Sequence, residues 1–455
     1  MRVRSRRIAL LIAALVLAIA FVFVLRYAAR LAAIGTAYTA KVLCSEVFVS
    51  GRDPDAALAS LEVDDLASLR YVKVSLDRST RSVTASVLSF FQRRATYRDG
   101  QGCALFVDGV PPAGETVAGA PRALASIPAS IDDAAVRARV ESVVDSAFIE
   151  PNPERPKRTR AVVVLHHGQV VAERYAPGFG PETPLPGWSM TKSVMNALVG
   201  ILVRDGQLTL GAPVQIPEWR ASGDPRSHIT LDQLLRMSSG LEFDEDMDDP
   251  RADIYEMLLA TPDMASFAIQ KPLRSAPGRT WQYSSGTSMI LARVLRNLIN
   301  DDSGYRTLPR RALFGPLGMT SAVLETDASG TFAGASFMYA TARDWARFGQ
   351  LYLQDGVWNG QRILPDGWVS YTRTPAPADP KRDYGAHFWL NVPDYHGTDR
   401  TEPPGTFHAG GHEGQFVTVV PSADVVIVRL GHTRYPDAWD HPAFVRDILA
   451  ALGRK

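Results

Sequence analysis

The spacing of apolar positions changes several times along the chain, and each change marks a predicted element. Residues 8–25 carry no charge and are almost uniformly apolar, which predicts a helix about 27 Å long, close to the thickness of a bilayer core. Residues 71–76 and 82–88 alternate or are rich in β-branched side chains, so we expect strands between residues 40 and 108. The Pro- and Gly-containing stretch at 110–130 predicts a linker.

After the linker, apolar residues recur first at helical and then at strand spacing. Val136, Val140 and Val143 share one stripe of a helix that begins near residue 131, and a hairpin is expected around residues 166–169. A long apolar stripe after Ser189 predicts a further helix. The predicted organisation has four parts, which are an N-terminal membrane anchor or signal (1–30), a small β-rich region (31–109), a linker (110–130) and a mixed helix and strand domain (131–455).

The charge pattern narrows the possible partners and the location. The chain has 49 Lys and Arg against 48 Asp and Glu, so no basic face for a nucleic acid is indicated. Four arginines precede the apolar run, which predicts a cytoplasmic N-terminus by the positive-inside rule. Because a cleaved signal usually has a shorter apolar region, we favour a single-pass anchor in the inner (cytoplasmic) membrane, with the following domain on the periplasmic side.

The two cysteines agree with export. Cys44 and Cys103 both lie between the apolar run and Ser189, and in an oxidising compartment they are expected to form a disulfide. The alternative is a pair of unlinked, buried thiols.

The first candidate for chemistry is the serine at the start of the long helix. Lys192 follows Ser189 by three positions, so its amine lies one turn away on the same helix face. A serine hydroxyl becomes a nucleophile when a neighbouring base takes its proton, and a lysine is such a base when burial lowers its pKa. On its own the spacing is also typical of an N-cap serine beside a solvated lysine.

Two later segments strengthen the first. Tyr283 lies in a Gly-flanked turn from which its phenol could relay protons or, when ionised, act as the base, although a half-buried tyrosine is the simpler alternative. The glycine-rich segment 408–414 opens a strand and could leave a backbone N–H free for an oxyanion, or be only a hairpin entry. The adjacent histidines at 166 and 167 lack partners at ligand spacing, and the acidic run at 244–249 fails the calcium-loop pattern, so neither a metal nor a cofactor is expected.

Together the three segments resemble the ordered motifs of the serine β-lactamase and penicillin-binding superfamily, which are Ser-x-x-Lys, Tyr-x-Asn and Lys-Thr-Gly. The similarity extends over residues 130–450 and is greatest to the class C-like hydrolases, a branch of esterases, D-aminopeptidases and 6-aminohexanoate-dimer hydrolases. It implies a mixed α/β (α+β) fold, with an antiparallel sheet carrying the terminal helices on one face, an all-helical lobe, and a cleft between them.

The resemblance also implies roles for individual residues. Ser189 attacks an acyl carbon, Lys192 and Tyr283 share the proton transfers, and water releases the acyl-enzyme. The oxyanion is expected between the N–H of Ser189 and that of Gly411 or His412.

Two departures from the motifs bear on the substrate. Ser285 stands where asparagine is usual and is expected to face the substrate, but a long amide that would hold a substrate carbonyl is missing. His408 or Ala409 stands where a lysine would bind a substrate carboxylate. His408 is expected at this substrate-binding position without a permanent cation, so weak penicillin hydrolysis is expected.

The sequence therefore predicts an exported serine hydrolase that cleaves an amide or ester of a small molecule. Two alternatives remain open, which are a D-stereospecific peptidase acting on peptidoglycan stem peptides and a non-catalytic member of the fold that binds cell-wall fragments.

Overall fold

The computed structural model describes residues 2–61, 69–107, 133–391 and 402–453, with side chains described from residue 10 onward. The predicted linker at 110–130 lies outside the described residues. The helices are α1 (Arg2–Phe48), α2 (Pro54–Leu61), α3 (Ala134–Ser146), α4 (Met190–Arg204), α5 (Leu231–Leu235), α6 (Asp253–Ala260), α7 (Met264–Ile269), α8 (Ser285–Ile299), α9 (Asp302–Pro309), α10 (Gly315–Leu317), α11 (Ala342–Leu353), α12 (Trp368–Arg373) and α13 (His441–Ala451).

The strands form four antiparallel sheets. They are β1 (Lys73–Asp77), β2 (Ser82–Val87), β3 (Phe91–Arg98), β4 (Gly102–Phe106), β5 (Thr159–His166), β6 (Gln169–Tyr175), β7 (Leu185–Pro186), β8 (Val323–Leu324), β9 (Met338–Ala340), β10 (Val357–Trp358), β11 (Gln361–Arg362), β12 (Phe407–Gly411), β13 (Gln415–Val420) and β14 (Val425–Gly431). The largest has the order β12-β13-β14-β5-β6, and β1 to β4 form a meander of their own.

Helices cover both faces of the five-stranded sheet, which explains why β5 is apolar at five consecutive positions, 161–165. Ala161, Val163 and Leu165 face the larger core, which includes residues of α4 and α11. Val162 and Val164 face a second core formed with α3 and α13. Successive side chains of a strand point to opposite faces, so a strand buried on both sides reads as a continuous apolar run. The predicted layout of the hydrolase domain is confirmed.

The all-helical lobe packs against the same large core. Helices α5 to α9 contribute to it through short apolar stretches, and α8 contacts α4, α5, α6, α7 and α9. Helix α8 begins at Ser284, whose hydroxyl accepts the N–H of Thr287 and so caps the first turn. Tyr283 is thereby fixed just before α8, on the side of the lobe that faces α4.

The N-terminal helix is much longer than the sequence indicated. We expected strands from about residue 40, but α1 continues to Phe48 and α2 follows, and the first strand among the described residues begins at Lys73. That part of the prediction was wrong because residues 31–48 hold no proline and continue the apolar, helix-compatible run. Within the described residues, α1 is the one helix that is long and apolar enough to cross a membrane, by length and composition.

The second half of α1 belongs to the body of the protein. It packs on β2, β3 and β4, and Cys44 is disulfide-bonded to Cys103 in β4. Glu325, a residue of the hydrolase domain, accepts hydrogen bonds from Ser45 Oγ (2.9 Å) and the Cys103 N–H (2.7 Å) and forms a buried ion pair with Lys41. The segment predicted as a separate region at 31–109 therefore shares one core with the domain at 131–455.

Candidate active site

Ser189 is presented at the end of a strained turn. Trp188, directly before it, has φ +46°, a left-handed conformation that is costly for a bulky side chain. A Cβ at Gly187 would meet the ring of Trp345 at 2.4 Å, so only glycine fits there. Ser189 itself is helical but does not cap α4, and its side chain is half-buried, which leaves the hydroxyl available for other partners.

Lys192 is the closest titratable neighbour of that hydroxyl. Its side chain is 1 % exposed, and Nζ lies 3.0 Å from Ser189 Oγ, 3.0 Å from Ser285 Oγ and 2.9 Å from the carbonyl oxygen of Ala335. Burial lowers the pKa of the amine to about 8, while the Glu245 carboxylate acts in the opposite direction. A substantial fraction of Lys192 is therefore neutral at mildly alkaline pH.

The three contacts also orient the neutral amine. The Ala335 carbonyl can only accept, and the Ser285 hydroxyl donates its proton to Glu245 at 2.5 Å, so both take N–H protons from Lys192. A neutral amine has two N–H bonds and one lone pair. With both protons so used, the lone pair points at the Ser189 hydroxyl.

Glu245 completes this buried cluster. It accepts the N–H of Ser285 at 2.7 Å as well as its hydroxyl, and burial raises the pKa of the carboxyl group against the opposing effect of Lys192. Ser285 was expected to face the substrate, but its side chain is 1 % exposed and is held between Lys192 and Glu245. That expectation was wrong, because the serine side chain is too short to extend past the lysine.

Tyr283 lies on the other side of the serine. Its phenol hydrogen-bonds Ser189, and its ring centroid lies 4.9 Å from Lys192 Nζ. Burial and the charge of Glu245 raise the pKa of the phenol well above its usual range. The phenol is therefore neutral at ordinary pH, which suits a proton relay and argues against the ionised base considered above.

Aromatic rings surround Tyr283. The ring of Trp389 stacks on it at 5.4 Å, and Tyr384 meets it edge-on at 5.8 Å. Trp281 lies 5.6 Å from Tyr384 and 6.4 Å from Trp389. Trp281 and Trp389 remain partly exposed, so this side of the site is an apolar wall.

The edge of β12 supplies candidate oxyanion donors. His408 exchanges both backbone hydrogen bonds with Trp389, so alternate residues turn their N–H groups to that edge. By this alternation the Gly410 N–H faces the edge and that of Gly411 turns toward β13. Gly411 instead permits a close approach, since a Cβ there would meet the Gly187 carbonyl oxygen at 2.2 Å. The expected donor at Gly411 is thus disfavoured, whereas the alternative donor at His412 falls on the edge side by the same alternation. Gly410 is a further candidate that sequence reasoning missed.

The two histidines of this segment occupy different places. The ring of His412 lies edge-on to Trp188 at 5.8 Å, beside the turn that presents Ser189. His408 is fully buried on the opposite face of the sheet, where its ring nitrogens bond Thr418 Oγ1 at 2.9 Å and Glu402 Oε2 at 2.8 Å. The expectation that His408 binds substrate was wrong, because strand alternation directs its side chain toward α13.

Other residues of the site had no signal in the sequence. Glu245 stands in the acidic run at 244–249, for which the sequence indicated no role, and only the fold brings it to Lys192. His387 donates its Nδ1–H to the Lys192 carbonyl oxygen at 2.9 Å and so holds the first turn of α4, and burial lowers its pKa to about 3. Among the described residues, no group of three or more potential ligands could hold a metal ion.

Comparison with known proteins places this geometry in a family. The family model described as Beta-lactamase matches residues 144–451. The chain is 25 % identical to the 6-aminohexanoate-dimer hydrolase of Paenarthrobacter ureafaciens, over 65 % of this chain and 78 % of that protein. It is 29 % identical to esterase EstB of Burkholderia gladioli, over 37 % of this chain and 47 % of that protein.

Solved structures share the fold. A Bacillus anthracis protein provisionally named a 6-aminohexanoate-dimer hydrolase superposes with a TM-score of 0.55 at 22 % identity, covering 74 % of this chain and 88 % of that one. EstCE1, described as a hydrolase with promiscuous acyltransferase activity, gives 0.56 at 16 % identity, covering 71 % and 100 %. The matched family model spans the serine helix, the tyrosine turn and the five-stranded sheet, so the chain belongs to the beta-lactamase family and is a serine hydrolase of the amidase or esterase type.

Proposed function

We propose that the protein cleaves an amide or ester bond through an acyl-enzyme on Ser189, and that it does so as an exported, membrane-anchored enzyme. The observation that carries the proposal is the contact between Ser189 Oγ and Lys192 Nζ at 3.0 Å, with the two amine protons of Lys192 engaged elsewhere. The relatives named as esterase and amide hydrolase support the same bond classes.

In the proposed reaction, Lys192 takes the proton of Ser189 as Oγ attacks the acyl carbon. The developing oxyanion is stabilised by the Ser189 N–H and by an edge-facing N–H of β12. Tyr283 relays a proton to the leaving alcohol or amine as the tetrahedral intermediate collapses. Water then attacks the acyl-enzyme, with the same groups returning the proton to Ser189.

The anchor is part of the proposal. The side chains of residues 10–28 are exposed and overwhelmingly apolar, which a helix in water does not favour and a helix in a bilayer requires. The basic leader assigns the N-terminus to the cytoplasm and the hydrolase to the opposite side.

Labelling with a fluorophosphonate probe tests the nucleophile. We expect the wild-type chain to be labelled at Ser189 and to hydrolyse p-nitrophenyl butyrate, and we expect Ser189→Ala to lose the label and on the order of 10³-fold or more in turnover. Ser193→Ala is the matched control, since Ser193 Oγ donates to the His387 carbonyl oxygen away from the cluster. Full turnover by Ser189→Ala would exclude the proposed nucleophile, whereas a wild type that is neither labelled nor active would favour a binding protein.

A further inference from the structure

Helix α1 connects the candidate membrane span directly to the active site. Its side chains are exposed from residue 10 to residue 28 and become buried from Thr36 onward, with no break in the helix. A continuous helix transmits position along its axis with a rise of about 1.5 Å per residue. The height of any buried residue of α1 above the bilayer is therefore limited by its distance along the helix.

The buried half of α1 is fixed to the hydrolase domain. The ion pair between Lys41 and Glu325 joins it to that domain directly, and the disulfide joins it to Cys103 in β4, whose N–H donates to the same glutamate. A buried ion pair and a covalent bond leave little freedom for the domain to tilt about α1. The span and the domain thus form one unit, in contrast to a domain on a flexible tether.

The membrane end of this unit lies beside a loop of the hydrolase domain. Arg30 donates to the carbonyl oxygens of Pro250 at 3.0 Å and Arg251 at 3.3 Å, and it pairs with Glu256 at 3.2 Å. Arginine just beyond an apolar span is typical of the headgroup layer. The loop that contains Pro250 and Arg251 also carries Glu245, which bonds Ser285 in the buried cluster.

The nucleophile lies only two turns farther along. The ring of Tyr38 stacks on that of Trp188, with centroids 6.4 Å apart and planes inclined by 4°. Eight residues separate Arg30 from Tyr38, a rise of about 12 Å. Ser189 follows Trp188, so the nucleophile lies beside a point of α1 that is about 12 Å beyond Arg30, roughly twice the thickness of one headgroup layer.

We propose that the substrate is a membrane-resident amphiphile, whose acyl ester or amide bond enters the cleft from the headgroup layer while its apolar part stays in the bilayer. The inference rests on the proposed hydrolysis at Ser189 and on the proposed anchor. The partly exposed Trp281 and Trp389 form an apolar wall next to Tyr283 that suits the portion of such a molecule nearest the scissile bond.

The test uses the full chain reconstituted in phosphatidylcholine vesicles, with p-nitrophenyl palmitate in the membrane and p-nitrophenyl butyrate in water. When palmitate ester and enzyme share the same vesicles, we expect at least about ten times the rate seen when they are placed in separate vesicle populations. Equal rates in the two arrangements would overturn the proposal. The butyrate rate is expected to be the same in both.

An insertion variant tests the height of the site. Seven helix-forming residues between Arg26 and Tyr27 raise the domain by about 10 Å and rotate it by only about 20°. We expect the palmitate rate in shared vesicles to fall about tenfold, with the butyrate rate unchanged. The control carries the same insertion after Gly360, at the exposed tip between β10 and β11. A palmitate rate unaffected by the first insertion would contradict the proposal.

The outcomes separate this proposal from the underlying function. If the protein hydrolyses butyrate and is labelled by the fluorophosphonate but does not hydrolyse palmitate, the proposed serine hydrolase stands and the proposed amphiphilic substrate is rejected. If the wild type neither hydrolyses butyrate nor is labelled, both proposals are rejected. If the fluorophosphonate probe does not label the insertion variant, that variant has not folded. The comparison of shared with separate vesicles, made with the wild-type chain, then decides whether the substrate comes from the membrane.

Discussion

Lys192 and Glu245 both hydrogen-bond the buried hydroxyl of Ser285, and this arrangement influences the charge of Lys192, the proposed base. Ser285 accepts from Lys192 and donates to Glu245, so the carboxylate is connected to the amine without touching it. A nearby negative charge favours the protonated amine, whereas burial favours the neutral one. The burial effect is the larger of the two, which is why the pKa of Lys192 stays at about 8, below its ordinary value.

Replacing Glu245 should move the pH dependence of catalysis. The proposed mechanism requires neutral Lys192, so kcat/KM is expected to rise with pH and to reach half its maximum near pH 8 in the wild type. Glu245→Gln removes the charge that favours protonated Lys192, so the pKa of the amine falls and the rising limb shifts to lower pH. The measurement is kcat/KM for p-nitrophenyl butyrate between pH 5 and about pH 10.

A neighbouring residue provides the control for that change. Asp246 lies in the same loop, is exposed, and accepts the N–H of Asp248, a bond that an asparagine side chain retains. Asp246→Asn should therefore leave the rising limb of the pH profile of kcat/KM at the same pH as in the wild type. A Glu245→Gln profile that coincides with the wild type, or that moves to higher pH, would contradict the role of the carboxylate.

For individual residues, the sequence predicted the candidate reacting groups better than the residues that position them. Ser189, Lys192 and Tyr283 fall within motifs whose local spacing survives folding, and the structure brings them together. Glu245 and His387 are brought to α4 from distant loops, which no local pattern encodes. His408 was misplaced because a shift of one residue along a strand exchanges its two faces.

Helix α1 has two environments along one element. Its first part is apolar and exposed, and its second part packs on the meander of β1 to β4 and carries Lys41 and Cys44 into the core. The sequence predicted the first part from its uniform apolar run. It did not reveal the second, because small and apolar residues at 31–48 fit either a helix or a strand, and packing decides between them.

The bond between α1 and β4 should contribute strongly to stability. Cys44 and Cys103 are 59 positions apart, and closing a loop of that size stabilises the folded state by about 4 kcal/mol on chain-entropy grounds. We expect the double variant Cys44→Ala, Cys103→Ala to lose about that much free energy of unfolding, measured with urea in detergent. Denatured, unreduced wild type should show no reactive thiol, and a count of two would refute the disulfide.

Breaking the ion pair at the same junction should lower the free energy of unfolding by a similar amount. Glu325→Gln keeps an acceptor for Ser45 and Cys103 but leaves the buried Lys41 without an opposite charge. Removing one partner of a buried pair costs about 3–5 kcal/mol. Urea unfolding in detergent measures the loss in the free energy of unfolding.

An exposed ion pair serves as the control for the effect of burial on the cost of breaking a pair. Asp99 pairs with Arg81, and the two side chains are 43 % and 40 % exposed, so Asp99→Asn should cost less than about 1 kcal/mol. If Glu325→Gln were as mild as this control, α1 would not be fixed to the domain as the structure indicates.

On the scale of the whole molecule, the hydrolase fold follows from two features that the sequence displays openly. Strands buried on both faces read as apolar runs, and the three motifs occur in order over about half of the chain. Both lead to the same architecture, which the family match confirms. What the sequence could not display is the union of the N-terminal segment with that domain, since its contacts with Glu325, Trp188 and Pro250 join residues more than 140 positions apart.

The combined arrangement predicts a preference against β-lactams. Penicillins carry a carboxylate beside the reacting amide, and hydrogen bonds to such a charged group contribute about 1.5–3 kcal/mol each. Along the described strand β12 there is no lysine or arginine, His408 faces α13, and Ala409 is packed in the core. We therefore expect kcat/KM for benzylpenicillin and nitrocefin to be at least about 10- to 100-fold below that for p-nitrophenyl butyrate, as measured by absorbance with the full chain. Turnover of either β-lactam at the rate of the ester would mean that a cation elsewhere in the cleft binds the carboxylate.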